Sequence, residues 1–434
     1  MIFIELLIVL GAIFLGARLG SIGIGFAGGL GVLLLGLVGV KPGGMPIDVI
    51  LIIMSVIAAI AAMQEAGGLD YLVDLAERLL RKQPKYITYL APLVTYSMTV
   101  MAGTGHTAFS TLPVIAEVAK EQGVRPSRPL SIAVVASQVA ITASPISAAV
   151  VFFSTVMAPL GVDYLKVLLV CIPTTLLAVI LASFVTNFLG KDLKDDEVYQ
   201  KRVKSGLVKL RGGGNISILP YATRSVWIFL AAIVMVMCYA TAISDTVGLI
   251  PKGHIILSRE HAIIVFMLTA AAGIALFCKI DTSHILNAPT FKSGMSACIC
   301  VLGVAWLGTT FVDAHIEEIK QLAGSMLQSY PWLLALALFF ASMLLYSQAA
   351  TAKALMPMAI TLAATPVTLV ASFAAVSALF ILPTYPTLLA AVEMDDTGST
   401  RIGKYVFDHP FLIPGTLTIF FSVLFGFIWG GIVL

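Results

Sequence analysis

From Gln321 to Val392 the chain carries a single Asp, Glu, Lys or Arg, and that residue is Lys353. Apolar runs of this kind recur at 2–15, 22–40 and 332–345, with ionisable groups only near their ends. A bilayer core demands about 20 apolar residues per helix. Soluble domains hold about 25% charged residues, whereas this chain is 59% hydrophobic and 11% charged. The pattern excludes an ordinary soluble domain and predicts an all-α polytopic membrane protein. Nothing in it resembles the alternating segments of about 10 residues that build an outer-membrane barrel.

The first apolar run lacks a charged leader and a small-residue cleavage site, so it is expected to be a true span. Five cysteines, all in apolar segments, offer no disulfide framework. Cys298 and Cys300 point apart at helical spacing and are expected to pack rather than to bind metal. There is no HExxH, GxSxG or P-loop, and the six histidines are scattered, which argues against an enzyme.

Predicted spans at 2–17, 22–40 and 47–64 are followed by an amphipathic stretch, 69–82. Two short arms then form a predicted re-entrant hairpin at 86–119, joined by "AGTGHT". A span at 129–158 is broken at "TASP", and 164–189 closes this first half, residues 1–189. A polar linker, 190–224, precedes a second half, 225–434, in which the order recurs. Its hairpin is predicted at 330–363, joined by "SQAAT", and its Pro-broken span at 367–393, interrupted at "LPTYP". Thr107–Pro113 and Thr351–Pro357 share T-A-x-x-x-[LM]-P, and "SPISAAVV" resembles "YPTLLAAV".

Charge tests this layout independently. With the N-terminus outside and neither hairpin crossing, only Lys41, Lys166, Lys252, Arg259 and Lys320 fall outside. Apart from Lys353, the rest of the 26 Lys and Arg then lie inside, as the positive-inside rule requires. The two halves become inverted-topology repeats, both termini lie outside, and the linker is cytoplasmic.

A helix broken within a bilayer exposes backbone groups that are tolerated only when buried in protein or lining a cavity. Inverted repeats with discontinuous helices are the hallmark of secondary transporters, whose substrate lies near the midplane. Helix starts at the breaks aim free N–H groups and partial positive charge at that space, which suits an anion. The predicted substrate-binding residues are therefore Thr104, Gly105, His106, Thr107, Thr142, Ser144, Ser147, Ser347, Gln348, Thr351, Lys353, Thr384, Tyr385 and Thr387. Each Ser or Thr has a bland alternative as a helix-packing residue. His106 is either a hydrogen-bonded packing residue or a proton carrier.

Lys353 lies two residues beyond Thr351, about 3 Å along the arm at 1.5 Å per residue. An intramembrane cation is by default a functional hypothesis; snorkelling and a structural ion pair are the alternatives. Acids are scarce here, with Glu5, Asp48, Glu65 and Glu393 near span ends, so a substrate carboxylate is a candidate partner. The amphipathic stretch is expected to place Leu69, Leu72, Leu75, Leu79 and Leu80 mostly on one face. Its opposite face pairs Asp74 with Arg78 and Glu77 with Arg81, as an interfacial helix would. Arg125 and Arg128 read as positive-inside anchors, or as a lure for anions.

The stretches "GARLGSIGIGFAGGLGV", "GGLDYLVDLAERLLRKQPKYIT", "GTGHTAFSTLPVIAEVAKEQGVRPSRPLS", "ITASPISAAVV", "SQAATAKALMPMA", "ILPTYPTLLAAVEMDDTGSTRIGKYVFDHPF" and "PGTL" carry a family resemblance over nearly the whole chain. The chain resembles the Dcu family of bacterial anaerobic C4-dicarboxylate transporters and looks nearest its DcuA-type branch. The resemblance implies an inner-membrane carrier of fumarate, succinate, malate and aspartate that exchanges fumarate for succinate. It marks Glu77, Arg81 and Arg125 as transport-relevant. It also tempers Lys353, because the DcuB-type branch has an apolar residue there. Alternating access is expected, preferably as an elevator-like slide. The alternatives are a cation-coupled carrier of another organic anion, or a carrier doubling as co-sensor for a dicarboxylate-responsive kinase. Expected partners are dicarboxylates, the lipid bilayer, further copies in a homo-oligomer and such a sensor kinase; no nucleic acid, metal or cofactor is expected.

Overall fold

The computed structural model describes residues 2–19, 22–45, 47–208, 218–243, 249–315, 317–318, 329–345, 347–382, 385–403 and 407–434. Lys320, Tyr346, Pro383, Thr384 and Lys404 lie outside them, and only the backbone of His106 and Ser110 is described. All regular structure among the described residues is helical.

The first part contains α1 (Ile2–Leu19), α2 (Gly23–Leu37), α3 (Ile47–Glu65), α4 (Gly68–Lys82), α5 (Ile87–Ala102), α6 (Ala108–Glu121), α7 (Ser127–Val139), α8 (Ala148–Met157) and α9 (Tyr164–Thr186). A short α10 (Glu197–Lys204) follows, then α11 (Ala222–Ala242), α12 (Arg259–Cys278), α13 (Thr282–Ile285) and α14 (Pro289–Ala314). The last part holds α15 (Leu333–Leu345), α16 (Gln348–Thr361), α17 (Pro366–Ser372), α18 (Pro386–Met394) and α19 (Leu412–Val433). Six segments of the described chain are long and apolar enough to cross a membrane, so the protein is a polytopic membrane protein.

The helices sort into two groups by packing. In one, α2 lies against α14, α3 against α12 and α14, α1 against α2, and α11 against α12. In the other, α19 packs on α9, α5 on α7, α16 on α8 and α18 on α6. Lipid tails give apolar helices no hydrophobic reason to associate, so close backbone packing must hold them together. The α2–α14 crossing is the tightest case. A Cβ at Gly303 would lie 1.9 Å from the Gly25 carbonyl oxygen, and one at Gly28 would lie 2.3 Å from the Gly303 carbonyl carbon.

Helix α4 leaves α3 at 76° and bridges the groups, touching α11 and α6. Its buried residues are Leu69, Val73, Ala76 and Leu80, with Gly68. Leu75 and Leu79, expected on the same apolar face as Leu69 and Leu80, lie at its edge and are exposed. The spacing from 69 to 73, 76 and 80 follows the 3.6-residue period, and Leu75 and Leu79 fall off that stripe.

Both interrupted spans occur, with different causes. After α7 a 3₁₀ turn, Ala140–Ala143, leads through extended Ser144 to Ser147, the N-cap of α8. The second interruption begins earlier than the proline pair predicts, because α17 stops at Ser372 and a 3₁₀ turn spans Phe373–Ser377. Here the Ser342 hydroxyl donates to the Ala375 carbonyl and accepts from the Ala378 N–H, both at 3.1 Å. A side chain of α15 thus takes over backbone groups that a continuing helix would pair. Phe373 also stacks on Phe153 of α8, with centroids 4.1 Å apart.

Candidate functional site

The connection between α5 and α6 starts at Gly103, whose φ of +70° lets its N–H return to the Thr99 carbonyl at 2.8 Å. The next glycine rests on α7, since a Cβ on Gly105 would stand 3.1 Å from the Ser137 carbonyl oxygen. The Thr107 hydroxyl donates to the Thr104 carbonyl at 3.1 Å and lies 3.4 Å from the Thr99 hydroxyl. Between α15 and α16, Ser347 caps α16 by accepting from the Ala350 N–H at 3.2 Å. The Thr351 hydroxyl donates back to the Ser347 carbonyl at 2.8 Å. Gln348 reaches across, donating its amide N–H to the Gln138 carbonyl at 3.2 Å. The two connections therefore converge on consecutive residues, Ser137 and Gln138, in the last turn of α7.

The polar residues predicted at the first interruption hold the backbone in place. Thr142 donates to the Val139 carbonyl at 2.8 Å, Ser144 to Val100 at 2.7 Å and Ser147 to Ile141 at 2.7 Å. Tyr164, from α9, donates to the Pro145 carbonyl at 2.5 Å. These bonds satisfy the carbonyls that the break releases. The second interruption differs. Thr387, in the first turn of α18, and Ser372 and Ser377 are buried, and their hydroxyls have no hydrogen-bond partner among the described residues. Tyr385 occupies the N-cap position of α18, and Thr384 lies outside the described residues.

Sequence reasoning missed Gln138. It is 1% exposed, and neither its amide nitrogen nor its amide oxygen has a partner among the described residues. A signal was present: the dipeptide Ser-Gln occurs at 137–138 and again at 347–348, each in an apolar setting.

Lys353 is half-buried on α16, and the charge that reaches its ammonium is Asp48, in the first turn of α3. The two residues belong to different helix groups. His106 gains no support for either of its readings, because its side chain is not described. Among the described residues no three His, Cys, Asp or Glu side chains gather to hold a metal ion.

The charged residues marked by resemblance lie in another place, where α4, α6, α7, α9 and the segment after α18 meet. Arg81 donates from Nε to Glu77 at 2.6 Å and from Nη1 to Glu121 at 2.5 Å. Lys120 reaches Asp396 at 3.0 Å and Glu117 at 2.9 Å. Arg125 donates to Asp196 at 2.5 Å, to the Lys191 carbonyl at 3.1 Å and to the Ser127 hydroxyl at 2.9 Å. Burial alone would raise the Asp196 carboxyl, but the Arg125 guanidinium and the N–H groups of Tyr199 and Val198 hold it below the usual range. The carboxylate of Asp395 folds its own loop, accepting from the N–H groups of Thr397 and Thr400 and from the Ser399 hydroxyl. Ser399 then accepts from the Ser127 N–H at 3.0 Å. Beside this knot lies a cleft of about 360 Å³ lined by Arg125, Arg128, Arg401, Asp408 and His409.

The sequence matches the family described as anaerobic C4-dicarboxylate membrane transporter over residues 1–434. It is 67% identical to the C4-dicarboxylate transporter DcuA of Wolinella succinogenes over 435 residues, covering 100% of both chains. Against the C4-dicarboxylate transporter DcuA of Escherichia coli (strain K12) the identity is 62% over 435 residues, again covering 100% of both. The crystal structure of the Alcanivorax borkumensis YdaH transporter shares the fold at a TM-score of 0.53 and 15% identity, over 88% of this chain and 85% of that one. The chain belongs to the anaerobic C4-dicarboxylate membrane transporter family, a family of carriers and not of enzymes.

Proposed function

We propose that the protein carries C4-dicarboxylates such as fumarate, succinate, malate and aspartate across the bacterial inner membrane, exchanging fumarate for succinate by alternating access. The carrying observation is the convergence of the two helix connections on Ser137 and Gln138, in a chain matched to this family along its whole length. Residues 1–189 and 225–434 are read as inverted repeats, with both termini periplasmic and the 190–224 linker cytoplasmic. The reciprocal packing of α2 on α14 and α3 on α12 supports that reading. So does the gathering at one end of Arg81, Lys120, Arg125 and Arg128, residues that the charge bias assigns to the cytoplasm.

In this reading α5–α9 and α15–α19 move against the remaining helices as an elevator. Withdrawing the connection at 103–107 opens the end of α7 to one side, and withdrawing the one at 347–351 opens it to the other. The substrate carboxylates are held by groups at 104–107, 142–147, 347–353 and 384–387. Glu77, Arg81 and Arg125 act by tying the moving helices to their surroundings. The test is counterflow: purified carrier in liposomes preloaded with succinate should accumulate labelled fumarate with no ion gradient imposed. Accumulation that requires a sodium or proton gradient, or none at all, would overturn exchange as the mode of transport.

A further inference from the structure

We propose that the side-chain amide of Gln138 is the specificity contact of the transport site, reading the substituent on the carbon beside a substrate carboxylate. This deepens, and rests on, the dicarboxylate reading above.

Gln138 lies in the last turn of α7, where Val134, Val135 and Val139 are also fully buried. Its own main-chain carbonyl accepts from Gln348 at 3.2 Å, and the preceding carbonyl lies against Gly105. The last turn of α7 therefore lies under both helix connections, one against the Ser137 carbonyl and the other bonded to the Gln138 carbonyl. Burying an amide without partners is unfavourable, and a leucine would fill the same space at no such cost. Among the described residues no group supplies the amide's hydrogen bonds, and in this reading a ligand that enters when a connection withdraws supplies them.

The unpartnered atoms also say what kind of ligand. An amide presents two N–H donors at one end and an acceptor oxygen at the other. A dicarboxylate dianion offers acceptors alone, so it can satisfy Nε2 of Gln138 and leaves Oε1 unmatched. A dicarboxylate bearing an α-ammonium or α-hydroxyl group supplies a donor as well and satisfies both ends. Nearby hydroxyls cannot discriminate in this way, because a hydroxyl rotates to donate or accept as required. Thr387 belongs to this surrounding: α18 packs on α7, and the Ser127–Ser399 bond ties their far ends, so the two run antiparallel. Its hydroxyl, without a partner among the described residues, lies on the turn of α18 nearest the interruption. The 3₁₀ turn Phe373–Ser377, followed closely by the second interruption, also touches α7.

The experiment measures competition of aspartate, malate, fumarate and succinate for uptake by the purified carrier in liposomes. Wild type is compared with Gln138→Met, which keeps length and removes the amide's donors and acceptor, and Gln138→Glu, which keeps the acceptor and adds charge. With Gln138→Met, affinity for aspartate and malate should fall at least about tenfold while fumarate and succinate change by under about threefold. With Gln138→Glu, aspartate should be retained far better than fumarate or succinate, because the new carboxylate attracts the ammonium and repels the dianions. Equal changes for all four substrates in both variants would overturn the inference while leaving dicarboxylate transport intact. If Gln138→Met fails to fold, the selectivity ratio of Gln138→Glu alone decides, an unaltered ratio refuting the role. A wild type that moves no dicarboxylate would instead overturn the functional reading itself, and this one with it.

Discussion

Arg81 Nη1 donates to Glu121 Oε2 at 2.5 Å, joining the amphipathic helix α4 to the last turn of α6, forty residues further on. The same guanidinium uses Nε for Glu77 at 2.6 Å. One planar fork thus connects a helix that bridges the two groups to a helix beside the candidate site.

Lysine cannot reproduce that fork. Arg81→Lys is expected to lower the initial rate of dicarboxylate uptake by about tenfold. Both ends of the Arg81–Glu121 pair are partly solvated, so thermal unfolding in detergent should show a stability loss under about 1 kcal/mol. A loss of stability as large as the loss of transport would argue that the pair holds the fold and has no part in motion.

Arg125 and Asp196 form a pair buried on both sides, with side chains 10% and 6% exposed. Arg125→Ala takes the nearest cation from a buried carboxylate that keeps the Val198 and Tyr199 N–H groups and Arg401 at 3.5 Å, and should cost about 1–3 kcal/mol. The folded Asp196 carboxyl lies below its ordinary value of 3.8, so its stabilising contribution is present above pH 3.8 and fades as pH falls through the lower folded value. Melting curves below pH 3.8 should therefore fall less steeply for Asp196→Asn than for the parent protein.

The Asp48 carboxylate acts on the half-buried Lys353 through space, and in the proposed site a substrate carboxylate would act on it as well. Lys353→Ala should weaken dicarboxylate binding without unfolding the carrier, whereas Asp48→Asn, with no ion pair to Lys353 to break, should leave binding unchanged. Calorimetric titration of the purified variants reads this directly. Unchanged affinity in Lys353→Ala would remove the residue from the site.

Close backbone approach governs the α2–α14 crossing. Gly303→Ala places a methyl group 1.9 Å from the Gly25 carbonyl and should destabilise by at least about 1–3 kcal/mol. Gly29 is the control: it neighbours Gly28, yet a Cβ added there would meet nothing within 4 Å, so Gly29→Ala should be tolerated. Thermal stability in lipid nanodiscs separates the two.

Much of the architecture could be read from local composition. The helix bounds lie within a few residues of the apolar runs, and the first interruption is where Thr142–Pro145 predicts it. The second could be placed only approximately. What holds the 3₁₀ turn after α17 is the hydroxyl of Ser342, a residue thirty-six positions away from the amide it binds, and no feature at 366–382 announces it. Which leucines of α4 find neighbours was illegible for a related reason, since Leu75 and Leu79 are as apolar as Leu69 and Leu80 but fall outside the stripe that packs.

The sequence alone determined that this chain lives in a bilayer and where its first interrupted helix breaks. Each is a sum over neighbouring residues: transfer free energy adds along a span, and prolines and glycines act where they stand. Only the tertiary structure decided which polar atoms remain open. The predicted hydroxyls of Thr142, Ser144 and Ser147 are taken up by backbone carbonyls, while the unpredicted amide of Gln138 is left unpaired among the described residues. Hydrogen-bond satisfaction belongs to pairs, and here the pairs are drawn from residues such as Gln138 and Gln348, 210 positions apart.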